Sequence, residues 1–192
     1  MLESQYAIKH GTLLPLSKSQ LIECNIYNQG CQGGGFNKAI QYLKHAGLEA
    51  EADYPFRNQN GVTGRCAYDA RKVKVRVSDF LVFNGSDTFR RMLYHYGPLV
   101  AGMNGALLQD YNGKLIRKND VCPSENLNHA VVIVGYGMRH QVPVWIVRNS
   151  WGRWGPDDGY FTVERGTNAC GIESYGGICT RTLNGVFLLL NP

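Results

Sequence analysis

Two short apolar runs, each closed by a polar or glycine-rich cluster, constrain the fold of this chain more than any other feature. The first run, residues 130–134, follows His129 and ends on residues 135–137, Gly-Tyr-Gly. The second run, residues 142–147, ends just before Asn149. β-Branched runs bounded in this way predict two antiparallel strands. Their pairing would bring His129, at the start of one strand, close to Asn149, at the end of the other.

A His–Asn contact at this place would have a chemical use. An imidazole whose ring N–H is held by a side-chain amide has a fixed tautomer and orientation, as a general base or a thiolate partner needs. We expect Trp151, two residues after Asn149, to cover that hydrogen bond and keep water off it. A lone His at a strand end is more often structural, but the joint pattern of residues 128–130 and 149–152 favours a catalytic one.

These motifs resemble those of the papain family of cysteine peptidases. In that family the segment around His129 supplies the catalytic imidazole, and the Asn-Ser-Trp-Gly motif supplies the amide of Asn149 that orients it. The similarity is strongest to the cathepsin L and O branches and to virus-encoded cathepsins. It covers nearly the whole chain, with matching segments in family order at residues 2–10, 16–24, 30–34, 54–56, 97–98 and 168–172.

The resemblance implies an α+β, papain-like two-lobe fold in one peptidase domain, residues 1–192, truncated at its N-terminus. We expect a helical lobe over about residues 1–85, an antiparallel, β-barrel-like lobe over about 86–180 and a tail over 181–192.

Local patterns give the elements within these lobes. Ser17, with Gln20 three residues later, predicts a helix that begins with a capping box. Ser86 or Asp87 is the expected cap of a helix that ends at residues 97–98, Gly-Pro. The remaining predicted helices cover residues 2–10 and 36–46, and the remaining predicted strands cover 73–83, 99–103 and 159–164.

The nucleophile of the family does not appear in these residues. Its Gln…Cys-Gly-Ser-Cys-Trp segment should come roughly eight or nine residues before Met1, which puts the nucleophile about 137 residues before His129, within the usual range. None of the six cysteines has that context. We therefore expect a peptidase domain without its first segment, lacking both the catalytic Cys and the oxyanion Gln, and inactive as it stands.

The resemblance also implies a substrate-binding set. The glycine-rich residues 30–35 lack the Lys-Ser/Thr and the preceding strand of a phosphate loop, whereas glycines let a peptide backbone approach closely. Gly33 and Gly34 would pair with the substrate backbone by strand addition. The residues implied for substrate contact are Gly33, Gly34, Gly35, Phe36, Asn128, Ala130, Trp151 and Tyr175, of which Gly35, Phe36, Ala130 and Tyr175 surround the pocket for the second residue upstream of the cut.

By resemblance, the cysteines form the disulfides Cys24–Cys66 and Cys122–Cys170, which leaves Cys31 without its family partner and Cys179 unassigned. Disulfides favour an oxidising route, lysosomal, endosomal or secreted. Residues 84–86, Asn-Gly-Ser, form a candidate glycosylation site at Asn84.

The net charge and its distribution bear on which partners the chain could bind. The net charge of +5 is mild and its Lys and Arg residues are spread, which does not favour nucleic acid as a partner. The basic residues 71–76 alternate as on a strand with one solvated face, and the acidic Glu49, Glu51 and Asp53 are expected on a solvated edge.

No signal peptide or membrane span is visible, and the resemblance implies no metal and no cofactor. The expected partners are peptide or protein substrates and cystatin-like or propeptide inhibitors.

Three interpretations remain open. The favoured one is a fragment of a Cys-His-Asn endopeptidase; the others are a non-catalytic homologue that binds peptides, inhibitors or a protein partner, and a structural protein that merely keeps the fold. One departure leaves a local question. The family has two residues between Asn-Ser-Trp-Gly and the next Trp-Gly, but here only Arg153 precedes Trp154, so the packing of that second Trp is undetermined.

Overall fold

A computed structural model describes residues 1–120 and 122–184 of the chain. Helices and strands are both present, which confirms the α+β class. The helices are α1 (Leu2–His10), α2 (Lys18–Cys24), α3 (Phe36–His45) and α4 (Ser86–Tyr96). The strands are β1 (Leu48–Glu49), β2 (Val73–Phe83), β3 (Leu99–Met103), β4 (His129–Arg139), β5 (Val142–Arg148), β6 (Tyr160–Glu164) and β7 (Gly176–Asn184).

The chain divides into two compact units. The first comprises Met1 and residues 81–178, and the second comprises residues 2–80 and, of the described residues, 179–184. The lobe boundaries inferred from the sequence stay a prediction, and residues 185–192 of the expected tail lie outside the described residues. In the part of the chain that is described, no helix is both long and apolar enough to cross a membrane.

An antiparallel sheet carries the core of the first unit. Its strands lie in the order β7-β3-β4-β5-β6, and β3 pairs with β4 from Leu99↔Ile133 to Met103↔His129. Trp145, Phe161 and Phe89 are almost fully buried in this core. Within the described residues the sheet is open rather than closed, because β6 is an edge strand that pairs with β5 alone. The barrel-like lobe is therefore an open sheet.

Strand β4 runs farther than its sequence pattern indicates. The Gly-Tyr-Gly cluster at 135–137 does not end the strand, which continues to Arg139. A β-bulge lies between Ile133 and Gly135, because Ile133 pairs with Val147 while Gly135 pairs with the next residue, Ile146. The extra residue shifts the inward alternation, so that Tyr136 pairs with the buried Trp145.

The start of α4 differs from the prediction. Gly85, not Ser86 or Asp87, is the N-cap, and no side chain caps the helix. Gly85 has φ +84°, a left-handed conformation that glycine adopts without steric cost, and its N–H donates to the carbonyl of Glu173 at 2.8 Å. The cap position was therefore set by a backbone turn that a search for polar caps does not detect.

In the second unit, only half of the predicted capping box forms. Ser17 Oγ accepts from the Gln20 N–H at 3.0 Å, but the Gln20 side chain does not return to Ser17. Its Nε2 donates to the Tyr42 hydroxyl and the Gly47 carbonyl, and its Oε1 accepts from the Glu49 N–H. Gln20 is fully buried and thus joins α2 to α3 and β1.

The predicted solvated acidic edge is wrong for Glu49. Glu49 is 1% exposed, and its Oε1 accepts the Asp69 N–H at 3.0 Å. Asp53 lies within 3.4 Å of Lys74 Nζ, and Glu51 lies 3.9 Å from Lys18 Nζ, both at partly exposed positions. A buried carboxylate needs such a donor, and the donor here comes from 20 residues away, out of reach of a local pattern.

Candidate active site

Strand register places His129 and Asn149 side by side. His129 is the first residue of β4 and pairs with Met103 of β3. Asn149 directly follows β5, whose last residue, Arg148, pairs with Val132 of β4. An added Cβ at Gly105 would lie 2.9 Å from the Cβ of His129, so a residue without a side chain is needed beside the imidazole.

The two side chains are hydrogen-bonded, as their positions on the strands predicted. His129 Nε2 lies 2.8 Å from Asn149 Oδ1. The same oxygen accepts the Ser150 N–H at 2.8 Å, which identifies it as the carbonyl oxygen, so Nε2 must be the proton donor. Nδ1 is then the nitrogen left to exchange a proton with a reacting group. Asn149 is 3% exposed, which shields this contact from water.

Trp151 lies over the pair, with its ring centroid 5.2 Å from that of His129. The indole is itself 42% exposed, so it covers the imidazole from one side and faces solvent on the other. This placement agrees with the covering position expected from the sequence.

The packing of Trp154, which the sequence left undetermined, is well defined. Its ring meets Trp151 edge-on at 5.1 Å and stacks on Tyr111 at 5.2 Å with 29° between the planes. The Tyr111 hydroxyl donates to Asp157 Oδ2 at 2.9 Å. Tyr111 and Asp157 were not among the site residues expected from the sequence, and the only signal was the shortened spacing before Trp154.

Three other expected substrate residues lie in the same unit. Asn128 and Ala130 flank His129 and are exposed. The Asn128 Oδ1 accepts the Gly105 N–H at 2.9 Å, so this side chain already holds the backbone beside His129. Tyr175 is half-buried, and its carbonyl accepts the Gly102 N–H at 2.9 Å.

Comparison with known proteins identifies the family of the chain that carries this His–Asn pair. Residues 1–178 match the family model described as papain family cysteine protease. The chain belongs to this family. Among its relatives is the viral cathepsin of Mamestra configurata nucleopolyhedrovirus, 37% identical over 174 residues that cover 89% of this chain and 50% of the relative. The viral cathepsin of Adoxophyes honmai nucleopolyhedrovirus is 39% identical over 177 residues, with 90% and 50% covered.

Solved structures agree with the family assignment. The digestive procathepsin L2 proteinase from Tenebrio molitor larval midgut has a TM-score of 0.85 and 32% identity, covering 93% of this chain and 57% of that one. Procathepsin L 3 from the same source has a TM-score of 0.84 and 31% identity, covering 92% and 59%. The papain-family chain described here spans about half the length of the curated relatives it matches.

The remaining expected substrate residues lie in the second unit, on and after a 3₁₀ turn at Gly30–Gln32. Gly33 is exposed with φ +115° and has open space around its Cβ position. Gly34 lies against Asn28, whose Oδ1 accepts the Gly35 N–H at 3.0 Å and whose Nδ2 donates to the Gly35 carbonyl at 3.3 Å. Local backbone geometry therefore gives these glycines a structural reason, beside the expected approach of a peptide. Phe36 begins α3 and is half-buried.

The structure contains both disulfides that the resemblance implied, Cys24–Cys66 and Cys122–Cys170. Cys31 is free and exposed, and Cys179 is free and buried, with burial raising the pKa of its thiol to about 12. The residue of the candidate glycosylation site, Asn84, is exposed. Over residues 1–120 and 122–184, no group of three His, Cys, Asp or Glu residues is placed to hold a metal ion.

Proposed function

We propose that this chain carries the His–Asn part of a papain-type cysteine endopeptidase, with His129 as the catalytic imidazole and Asn149 as its orienting amide. The observation that supports this most strongly is the 2.8 Å contact from His129 Nε2 to the buried Asn149 Oδ1. It fixes the tautomer and leaves Nδ1 as the ring nitrogen that can exchange a proton with a nucleophile.

The proposed mechanism is acyl transfer through a thioester. A cysteine thiolate attacks the scissile carbonyl carbon, the C–N bond breaks, and the imidazolium of His129 gives its proton to the leaving amine. Water then attacks the thioester, with His129 accepting its proton, and the thiolate leaves. The thiolate and the oxyanion-hole glutamine come, in this proposal, from the family's Gln…Cys-Gly-Ser-Cys-Trp segment rather than from residues 1–192.

For the substrate, we propose a peptide with a medium-sized apolar or aromatic residue two positions before the cut. Gly35, Phe36, Ala130 and Tyr175, the residues implied for that pocket, carry no charge that could pair with Lys or Arg. Gly33 and Gly34 would bind the peptide backbone, with Asn128 and Trp151 flanking the reaction centre. A peptide-library profile dominated by basic residues at that position would contradict this assignment.

The proposed partners and compartment follow from the family. Papain-family cathepsins are typically lysosomal or secreted, and this chain's two disulfides are consistent with such a route. The solved relatives are procathepsins, which makes a propeptide-like or cystatin-like inhibitor a reasonable partner. An exposed Asn84 in its sequon is proposed as a glycosylation site on the same route.

Supplying the nucleophile tests the function. We define the extended chain as a chimera in which the part of the Mamestra configurata viral cathepsin that precedes its matched region is joined to Met1. This chain should hydrolyse apolar peptide substrates, and alkylation of its thiol or His129→Ala should abolish turnover, since losing the nucleophile or the histidine of such a triad costs on the order of 10⁶ in kcat. His95→Ala, at an exposed position on α4, is the matched control and should leave activity intact.

The opposite result has its own interpretation. An extended chain that folds and binds a peptide-like inhibitor but never hydrolyses substrate would contradict the endopeptidase and favour the binding homologue. A folded chain that neither hydrolyses nor binds would favour a purely structural role.

A further inference from the structure

The loop that carries Trp151 has internal contacts, such as the Arg153–Asp158 ion pair at 2.6 Å, but these do not involve the Trp151 ring. Residues 150–159 connect β5 to β6 without regular secondary structure and are mostly exposed. Gly152, Gly155 and Gly159 all have positive φ angles, between +67° and +88°. A glycine-rich exposed loop is expected to sample many conformations unless outside contacts restrict it. The position of Trp151 over His129 therefore needs a support.

A series of aromatic rings supplies that support. Trp151 meets Trp154 edge-on at 5.1 Å, and Trp154 stacks on Tyr111 at 5.2 Å. Tyr111 in turn meets Phe161 edge-on at 6.0 Å, and Phe161 is 1% exposed in the core of the sheet. Aromatic pairs in such arrangements stabilise beyond simple burial. The rings thus connect the imidazole of His129 to the core.

Tyr111 also holds the far side of the same loop. Its hydroxyl donates to Asp157 Oδ2 at 2.9 Å, so one residue grips the loop at two points, by its ring at Trp154 and by its hydroxyl at Asp157. Burial, together with the adjacent carboxylate of Asp157, raises the pKa of Tyr111 to about 12. The phenol consequently remains a proton donor at every pH at which such a protein works.

The segment that bears Tyr111 is itself anchored to the sheet. The Ile116 N–H donates to the Thr162 carbonyl at 3.0 Å, and the Ile116 carbonyl accepts the Glu164 N–H at 2.8 Å. Arg139 Nη2 donates to the Gly113 carbonyl at 2.8 Å. The segment that carries Tyr111 is therefore hydrogen-bonded to β4 and β6 and is not a second unsupported loop.

Backbone bonds carry this restraint to Asn149. The Gly159 N–H donates to the Trp154 carbonyl at 2.7 Å, and the Asn149 N–H donates to the Gly159 carbonyl at 2.9 Å. A Cβ at Gly159 would lie 2.2 Å from the Gly152 carbonyl oxygen, so the loop is closed tightly on itself. A displacement of Trp154 would therefore reach Asn149 through these backbone bonds and His129 through the Trp151 ring.

We propose that Tyr111 is a positioning residue for the reaction, which holds Trp154 and Asp157 so that Trp151 stays over the His129–Asn149 hydrogen bond. This inference rests on the proposed function of His129.

The test compares three variants in the extended chain. Tyr111→Leu removes the stack and should lower kcat about tenfold with little change in KM, because small misplacements of catalytic groups are costly in turnover. Tyr111→Phe keeps the rings and loses only the hydrogen bond, so it should lose only a few-fold in kcat. Tyr94→Leu, at a tyrosine that is 75% exposed on α4, is the control and should leave kcat unchanged.

A second measurement separates positioning from catalysis. The ring protons of His129 lie beside the Trp151 indole, so their NMR shifts report that contact in an active or an inert chain. In Tyr111→Leu they should move toward those of an exposed histidine, and in Tyr94→Leu they should not. If the wild-type extended chain is inert, the proposed function fails, and these shifts alone decide whether Tyr111 keeps Trp151 over His129. Unchanged His129 shifts in Tyr111→Leu, or a kcat within about twofold of wild type in an active chain, would overturn the inference.

Discussion

Asn149 is the residue at which the site is most sensitive to a small change. Its Oδ1 holds the Nε2 proton of His129, so Asn149→Ala should leave the imidazole free to rotate and to adopt the other tautomer. We expect kcat of the extended chain to fall about 10²-fold, within the usual contribution of a positioned acid–base group. Steady-state kinetics measure this, and a loss below about twofold would mean that the amide does not orient the ring.

Glu23 is the carboxylate of the second unit whose charge bears most directly on stability. Its side chain is fully buried and accepts hydrogen bonds from Arg57, Tyr54 and Asn58. The bond from Arg57 is the main cause that lowers its pKa to about 2, against the opposing effect of burial. The folded pKa is below the unfolded value, so this stabilisation is present above about pH 4.3 and is lost as the pH falls toward 2.

The corresponding prediction uses Glu23→Gln. At neutral pH it should lower the free energy of unfolding by about 1–3 kcal/mol, and the difference from wild type should shrink between about pH 4 and pH 2. Urea unfolding at a series of pH values measures it. Asp53→Asn, which removes a partly exposed partner of Lys74, is the control and should cost less than about 1 kcal/mol. A pH-independent effect of Glu23→Gln would contradict the account.

Two strand glycines give a test at the scale of elements. Gly176 of β7 is buried, and a Cβ there would lie 2.4 Å from the Phe89 ring of α4, whereas a Cβ at Gly137 of β4 would meet nothing within 4 Å. Neither has a positive φ. Gly176→Ala should therefore destabilise by about 1–3 kcal/mol through overpacking, and Gly137→Ala should be neutral or slightly stabilising. Thermal unfolding decides it; equal effects would show that α4 does not pack on β7 as described.

The strands also show which parts of the fold and of the site could be predicted from the sequence. The β-branched runs before residues 135–137 and before Asn149 were enough to predict the strand pair and the His–Asn contact, because period and boundaries are local properties. The bulge beside Gly135 was not predictable, since it depends on which residue of β5 pairs with it. The burial of Glu49 and the stack of Trp154 on Tyr111 were missed for the same reason. Their partners lie 20 and 43 residues away in the chain.

The disulfides are the feature that belongs to the whole molecule, because each closes a long loop inside a different compact unit. Cys24–Cys66 spans 42 residues and Cys122–Cys170 spans 48. On the chain-entropy estimate each stabilises by about 4 kcal/mol. A non-reducing peptide map should recover these two pairs. Replacing one pair by alanines should increase hydrogen exchange mainly in its own unit, and finding Cys31 bonded to Cys24 or Cys66 would contradict the pairing.

The central claim is that His129 is the partner of a cysteine nucleophile, and the rate of thiol alkylation tests it without requiring turnover. A thiol paired with an imidazolium is largely thiolate in mild acid, whereas an unpaired thiol has a pKa near 8.5 and is about 10²- to 10³-fold less ionised at pH 6. The nucleophile of the extended chain should therefore react rapidly with iodoacetamide at pH 6. His129→Ala should slow that reaction by about 10²-fold, and His95→Ala should not. Equal rates in the wild type and His129→Ala would contradict the account.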